Sequence, residues 1–221
     1  MAFSAPTPRL RTPPDLDPLI WHAARGVAHA VHTLLINQQQ GLLPQPDEDE
    51  LPLAIDERFM PLCNVGAPLF SVDYPLVSFV WNEIPPVEVA HDFVCVLAEN
   101  LTTVQELVVA YVLFEKAIRS PTTVLASFTV RPLLVACVVL AVKITGDEEV
   151  SNAFQASCLR SDFTALTARH LLELERQVLV LVEHHIPTGP IYQTYADALF
   201  DAANHATFGE HRAAPEMIDD F

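Results

Sequence analysis

Val130-Arg131-Pro132-Leu133-Leu134-Val135-Ala136-Cys137-Val138-Val139-Leu140-Ala141-Val142-Lys143 is the stretch that decides the fold. From Leu133 to Val142 every side chain is apolar, so the segment has no polar face to turn toward water. A helix apolar all round has to be enclosed by other helices. The stretch therefore predicts the central helix of a bundle, from about Val130 to Lys143, with its neighbours wrapped around it. A membrane span is the rival reading, because Arg131 is the only charge between Arg119 and Lys143. An arginine at the middle of a span costs about 2.5–3.5 kcal/mol. What remains, Leu133 to Val142, is about half the length a span needs. The stretch reads as a buried helix.

On either side the chain keeps a helical period. Residues 1–16, rich in Pro, Thr and Arg, read as a disordered N-terminus. Asp17-Pro18 pairs a capping carboxylate with a proline at the first helical position. It opens an amphipathic N-terminal helix, within residues 17–40, that ends near Asn37. Its stripe is Leu19, Ile20, Ala23, Val27, Ala30, Val31, Leu34 and Leu35. Residues 41–74 lose all periodicity. Pro44, Pro46, Pro52, Pro61 and Pro68 punctuate them, and Asp47-Glu48-Asp49-Glu50 is an acidic run, so they read as an extended connector.

The domain proper is expected over residues 75–203. Tyr74-Pro75 can open a short helix through Asn82, stopped by Pro85-Pro86. Val87 to Ala98 form a helix. Thr102 or Thr103 caps the next, with Gln105 or Glu106 in the capping-box place, and it runs to about Arg119 ahead of Pro121. The central helix follows, then a shorter one over Glu149 to Leu159. A long helix from Thr164 or Thr167 to Glu183 carries the stripe Leu171, Leu174, Val178, Leu181 and Val182. Pro187 and Pro190 close it, and a last helix covers Ile191 to Ala203. Residues 204–221 read as a flexible tail.

Composition narrows the function. The 221 residues suffice for one substantial core. The formal net charge is −16 and the only lysines are Lys116 and Lys143. Such a surface repels nucleic-acid backbone and anionic lipid, and the acidity reads as solubility. Cys63, Cys95, Cys137 and Cys158 are far apart in sequence, which suits buried, reduced thiols in an intracellular protein rather than a metal or redox pair. No signal-peptide pattern opens the sequence, and Ala2 excludes N-myristoylation.

No enzyme constellation is present: no Gly-x-Gly-x-x-Gly, Walker loop, Gly-x-Ser-x-Gly or His-Glu-x-x-His occurs. His22, His29 and His32, and the adjacent His184-His185, read as surface histidines of amphipathic helices rather than metal ligands. No cofactor is expected, and the chain is expected to act by binding another protein. Thr7-Pro8, Thr12-Pro13 and Ser120-Pro121 match proline-directed phosphorylation sites at the level such short motifs match by chance.

The segment from about Val87 to Phe200 resembles the cyclin box. Phe93-Val94 through Glu106 to Leu113-Phe114-Glu115-Lys116 looks like its first two helices, ending in a Leu-Glu-Arg-like motif. Arg131 through Leu140-Ala141-Val142-Lys143 looks like its central helix, which in cyclins ends in Ala-Ser-Lys. Leu172-Glu173-Leu174-Glu175-Arg176-Gln177 looks like its fifth helix. With Tyr192 and Tyr195 downstream, the likeness is closest to the cyclin Y-like branch. The implied fold is all-α: a single five-helix cyclin-box bundle with a buried central helix, plus flanking N-terminal and C-terminal helices.

The resemblance implies a regulatory subunit, of the cell-cycle type, that binds and activates a cyclin-dependent protein kinase by docking on its C-helix. The cyclin holds the kinase glutamate inward, toward the catalytic lysine that positions ATP phosphates. In cyclins a lysine closing the third helix and a glutamate in the fifth pair at the kinase interface, and these match Lys143 and Glu175. The residues themselves are consistent with that role. Lys143 ends a helix, where the dipole favours a cation. Glu175 follows core residue Leu174, with Leu179 four residues on along the same ridge. Ile144 and Leu179 would supply apolar area around the charged anchor. An intramolecular salt bridge is the alternative for the pair.

The departures fall on the partner-facing edge. Cyclin Y proteins have Ser-Lys-Val-Trp-Asp-Asp where this chain has Val142-Lys143-Ile144-Thr145-Gly146-Asp147. The tryptophans of the following loop are absent, with Ser151 and Phe154 nearby. His184 stands where cyclins place an aromatic that packs on the kinase. A cyclin-fold protein–protein adaptor with no kinase partner is the alternative function.

Overall fold

The computed structural model describes residues 16–43, 55–63, 81, 83–99, 103–120, 123, 125–146, 150–160, 162–185 and 190–207. Of the expected helix over Tyr74–Asn82 only Trp81 is among these, and it is not helical; the acidic run at 47–50 lies outside them, and of the expected flexible tail 204–221 the first four residues are helical while the rest lies outside. All regular structure among the described residues is helical: α1 (Pro18–Gln39), α2 (Val87–Ala98), α3 (Val104–Ile118), α4 (Ser127–Thr145), α5 (Asn152–Leu159), α6 (Ala168–Leu181) and α7 (Pro190–Thr207). The protein is all-α.

Local chemistry sets the starts. The Asp17 side chain accepts from the Leu19 N–H at 2.7 Å, ahead of Pro18. Thr103 and Glu106 form a reciprocal capping box on α3. The Thr103 hydroxyl accepts from the Glu106 N–H, and the Glu106 carboxylate accepts from the Thr103 N–H at 2.8 Å. Thr167 caps α6 through the His170 N–H. The Ser151 hydroxyl accepts from the Phe154 N–H, so α5 begins at Asn152 rather than at the expected Glu149.

The central helix begins earlier than its apolar run suggests. The Thr129 hydroxyl accepts from the Ala126 N–H at 3.0 Å and adds a turn from Ser127. Pro132 therefore lies inside α4 rather than near its start. Every residue from Thr129 to Val142 is buried, Arg131 included. Full burial of one Leu or Val is worth about 1.5–3 kcal/mol, so this helix contributes a large share of the core. α4 is the one described helix long and apolar enough to cross a membrane. Here it packs against α3 and α6.

α1 lies against α2 and α7 and also reaches α3; α5 lies on α6. The approach of α1 to α7 is close at Gly26, where an added Cβ would stand 2.1 Å from the Leu199 carbonyl oxygen. α6 stops at Leu181 rather than Glu183. Glu183 and His184 turn into the left-handed region, with φ of 53° and 57°. The His184 N–H then reaches back to the Leu179 carbonyl at 2.8 Å, satisfying a carbonyl of the last turn.

Residues 55–63 are part of the packed body. The Ile55 and Leu62 side chains are fully buried, and Asp56 and Glu57 are buried with them. Leu16, at the edge of the expected disordered start, packs on the core.

Candidate functional site

Three helices bring one polar cluster to the edge of the bundle. Lys143 sits in the last turn of α4, Glu175 midway along α6, and Asn152 at the first position of α5. The Lys143 ammonium donates to Glu175 Oε1 and to Asn152 Oδ1. Asn152 Nδ2 donates to Glu175 Oε2 at 2.6 Å. The three side chains close a ring, and the ring fixes the Asn152 amide: only its oxygen can face the ammonium and only its nitrogen the carboxylate. The Glu175 side chain is 7% exposed and that of Lys143 26%. The carboxylate is thus held within the protein while the ammonium reaches the surface.

Sequence reasoning pointed to Lys143 and Glu175 but not to Asn152. With the helix placed from Glu149, Asn152 was an unremarkable interior position. The signal that could have found it is Ser151, whose side chain makes Asn152 the first helical residue.

Of the other residues singled out, Ile144 and Leu179 are half-buried and pack against the core. Ile144 follows Lys143, and Leu179 lies one turn beyond Glu175. With a 100° step per residue, Glu175, Leu179 and Leu172 fall on the same flank of α6. His184 lies past the end of α6, exposed, outside the ring and tied to Leu179 only through its backbone.

The helices that build the ring also expose apolar side chains. Phe154 on α5 is 60% exposed, and Leu172 and Val180 on α6 are 51% and 62% exposed. Among the described residues these are three of the six large apolar side chains turned outward, and all lie on the two helices that supply Asn152 and Glu175. A partly exposed charge and exposed apolar side chains on the same group of helices is the composition of a protein-contact surface.

His22 tilts against the Phe200 ring at 5.5 Å, and His184 and His185 are exposed. Among the described residues no group of three or more His, Cys, Asp or Glu is placed to hold a metal ion. His91 and Cys95 on α2 are a close pair, with Nε2 and Sγ 3.3 Å apart. Burial first, then the carboxylates of Asp92 and Glu99, pushes the Cys95 thiol up to about 12, so it stays protonated at neutral pH.

No family model, no curated protein and no solved structure matches this chain.

Proposed function

We propose that this protein is a cyclin-like regulatory subunit that binds a protein kinase through the edge formed by α4, α5 and α6. The observation that carries the reading is the Lys143–Glu175–Asn152 ring with Phe154, Leu172 and Val180 exposed on two of the helices that build it. The cyclin-box resemblance of residues 87–200, drawn from sequence, supplies the partner class. In this reading the ring orients the partner and the exposed apolar side chains provide most of the buried area. Activation is allosteric: the subunit contributes binding energy that differs between the active and inactive kinase conformations, and none of its residues touches the transferred phosphoryl group.

The adaptor reading, a cyclin-like fold with a different protein partner, keeps one specific support. Lys143 and Glu175 satisfy each other within the chain, so the pair has a structural role even where no kinase is bound. Affinity capture from the cells that make this protein separates the two. A captured protein kinase that is lost with Lys143→Glu, while the helical circular dichroism is retained, is the outcome expected for a kinase subunit. A captured partner of another class is the outcome expected for an adaptor.

A further inference from the structure

Pro132 has no N–H, so the carbonyl of Phe128, one turn earlier in α4, lacks its helical donor. The backbone N–H of Glu57 takes that place at 3.0 Å. The contact begins a series that ties residues 55–63 to two separate elements. On the α4 side, the Glu57 carboxylate faces the Arg131 guanidinium at 3.4 Å, their side chains 1% and 0% exposed. Arg131 in turn lies over the rings of Trp81 and Phe93, at 5.7 and 5.3 Å. Asp56 holds Arg58 through a 2.7 Å ion pair, and the Arg58 guanidinium lies 3.7 Å from the centre of the Phe128 ring.

On the other side, the Leu62 carbonyl accepts from the Ala165 N–H at 2.9 Å. The Cys63 thiol donates to the Asp162 carbonyl at 3.3 Å. Asp162 and Ala165 belong to the connection between α5 and α6. Residues 55–63 therefore span the gap from the first turns of α4 to the α5–α6 connection. These are the three helices that carry Lys143, Asn152 and Glu175.

We propose that residues 55–63 are a charge-latched strap that fixes α4 against the α5–α6 connection and so holds the Lys143–Asn152–Glu175 ring in register. The latch is the Glu57–Arg131 pair. Burial pushes the Glu57 carboxyl up, and the Arg131 charge beside it and, less, the Leu62 backbone pull it back. Removing one member of a buried pair leaves the other charge uncompensated, whereas replacing both by apolar side chains is close to neutral. The importance of the strap for partner binding rests on the function proposed above; the coupling itself is a property of this chain alone.

Hydrogen exchange of the full chain, read by mass spectrometry, tests it without any partner. Glu57→Gln should speed exchange at least ~10-fold in residues 55–63, and in step in α5 and residues 162–166. α1 and α7 should keep wild-type protection and serve as the internal reference. The double replacement Glu57→Leu with Arg131→Met should return both regions toward wild-type protection. Three results overturn the proposal: residues 55–63 staying protected in Glu57→Gln, residues 55–63 opening while α5 stays protected, or α1 and α7 accelerating equally. Should Glu57→Gln not fold, the wild type in low denaturant still decides. The Glu57 and Ala165 amides and those of α5 must then share one opening that precedes global unfolding, and separate openings overturn the proposal.

Discussion

Substituting Gly26 by alanine sets two well-understood effects against each other. Gly26 is in the interior of α1, where replacing glycine by alanine ordinarily favours the helix by about 1 kcal/mol. Here the new methyl would stand 2.1 Å from the Leu199 carbonyl oxygen and 2.8 Å from its carbon. Both are backbone atoms of α7, so no side chain can swing away, and the helices would have to separate by roughly 1.5 Å to reach ordinary contact. Ala23, Val27 and Ala30 on α1 and Ala196, Leu199 and Ala203 on α7 are all buried, and they would lose contact together. Overpacking of this kind costs typically about 1–3 kcal/mol, and a clash with fixed backbone belongs at the upper end. Subtracting the propensity gain leaves Gly26→Ala about 2 kcal/mol less stable than wild type. For a chain of this size that lowers the Tm by about 4–8 °C. Thermal unfolding followed by circular dichroism at 222 nm reads it directly. A Tm equal to or above wild type would refute the close α1–α7 approach, because propensity alone predicts an increase.

Other predictions follow from single features. Glu183 and His184 hold left-handed backbone that costs L-residues roughly 1–2 kcal/mol each, so Glu183→Gly and His184→Gly should each raise the urea midpoint, by an amount equivalent to ~0.5–1 kcal/mol once the added freedom of the unfolded chain is deducted; a lower midpoint contradicts that geometry. Asn152→Leu removes a donor from buried Glu175 and an acceptor from Lys143, and should destabilise by about 1–3 kcal/mol; an unchanged urea midpoint would show that the ring does not form. Partial burial, then the neighbouring Glu88 charge, raises the Asp92 carboxyl to about 6. Because its folded-state value lies above the unfolded one, Asp92 contributes stability when protonated and loses it as pH rises from about 4 through about 6. Asp92→Asn should therefore be more stable than wild type at pH 8, with the gap narrowing at pH 5.5; a gap independent of pH argues against the shifted carboxyl.

What the sequence could show followed from how local each feature is. The unbroken apolar run from Leu133 to Val142 suffices to mark a buried helix, and Thr103 with Glu106 marks the start of α3, because a capping box involves residues only three apart. The start of α4 was hidden because Pro132 normally argues for a helix beginning beside it. It sits deeper in α4 because a neighbouring segment supplies the donor that the Phe128 carbonyl lacks. That compensation is a tertiary fact. The burial of Ile55 and Leu62 was equally out of reach, since residues 41–74 have no period to read and the contacts are made with distant elements.

The site divides the same way. Lys143 and Glu175 stood out because the cyclin-box resemblance matched them to a cyclin pair, and their places, one ending a helix and the other bordering an apolar stripe, were consistent with it. Asn152 escaped because its role depends on which residue caps α5 and on three helices meeting. Arg131, read as a penalty against membrane insertion, is in the structure the buried partner of Glu57, a residue 74 positions away.

The most direct test of the docking edge uses the reversed pair Lys143→Glu with Glu175→Lys. The double replacement keeps opposite charges in contact and so keeps an internal bridge, but it inverts what a partner meets at the surface. Captured from cells in parallel with wild type, it should retain its helical circular dichroism and lose the protein kinase that wild type brings down. Equal capture of a kinase by both forms, or no kinase with wild type, would contradict a kinase-binding role for the α4–α5–α6 edge.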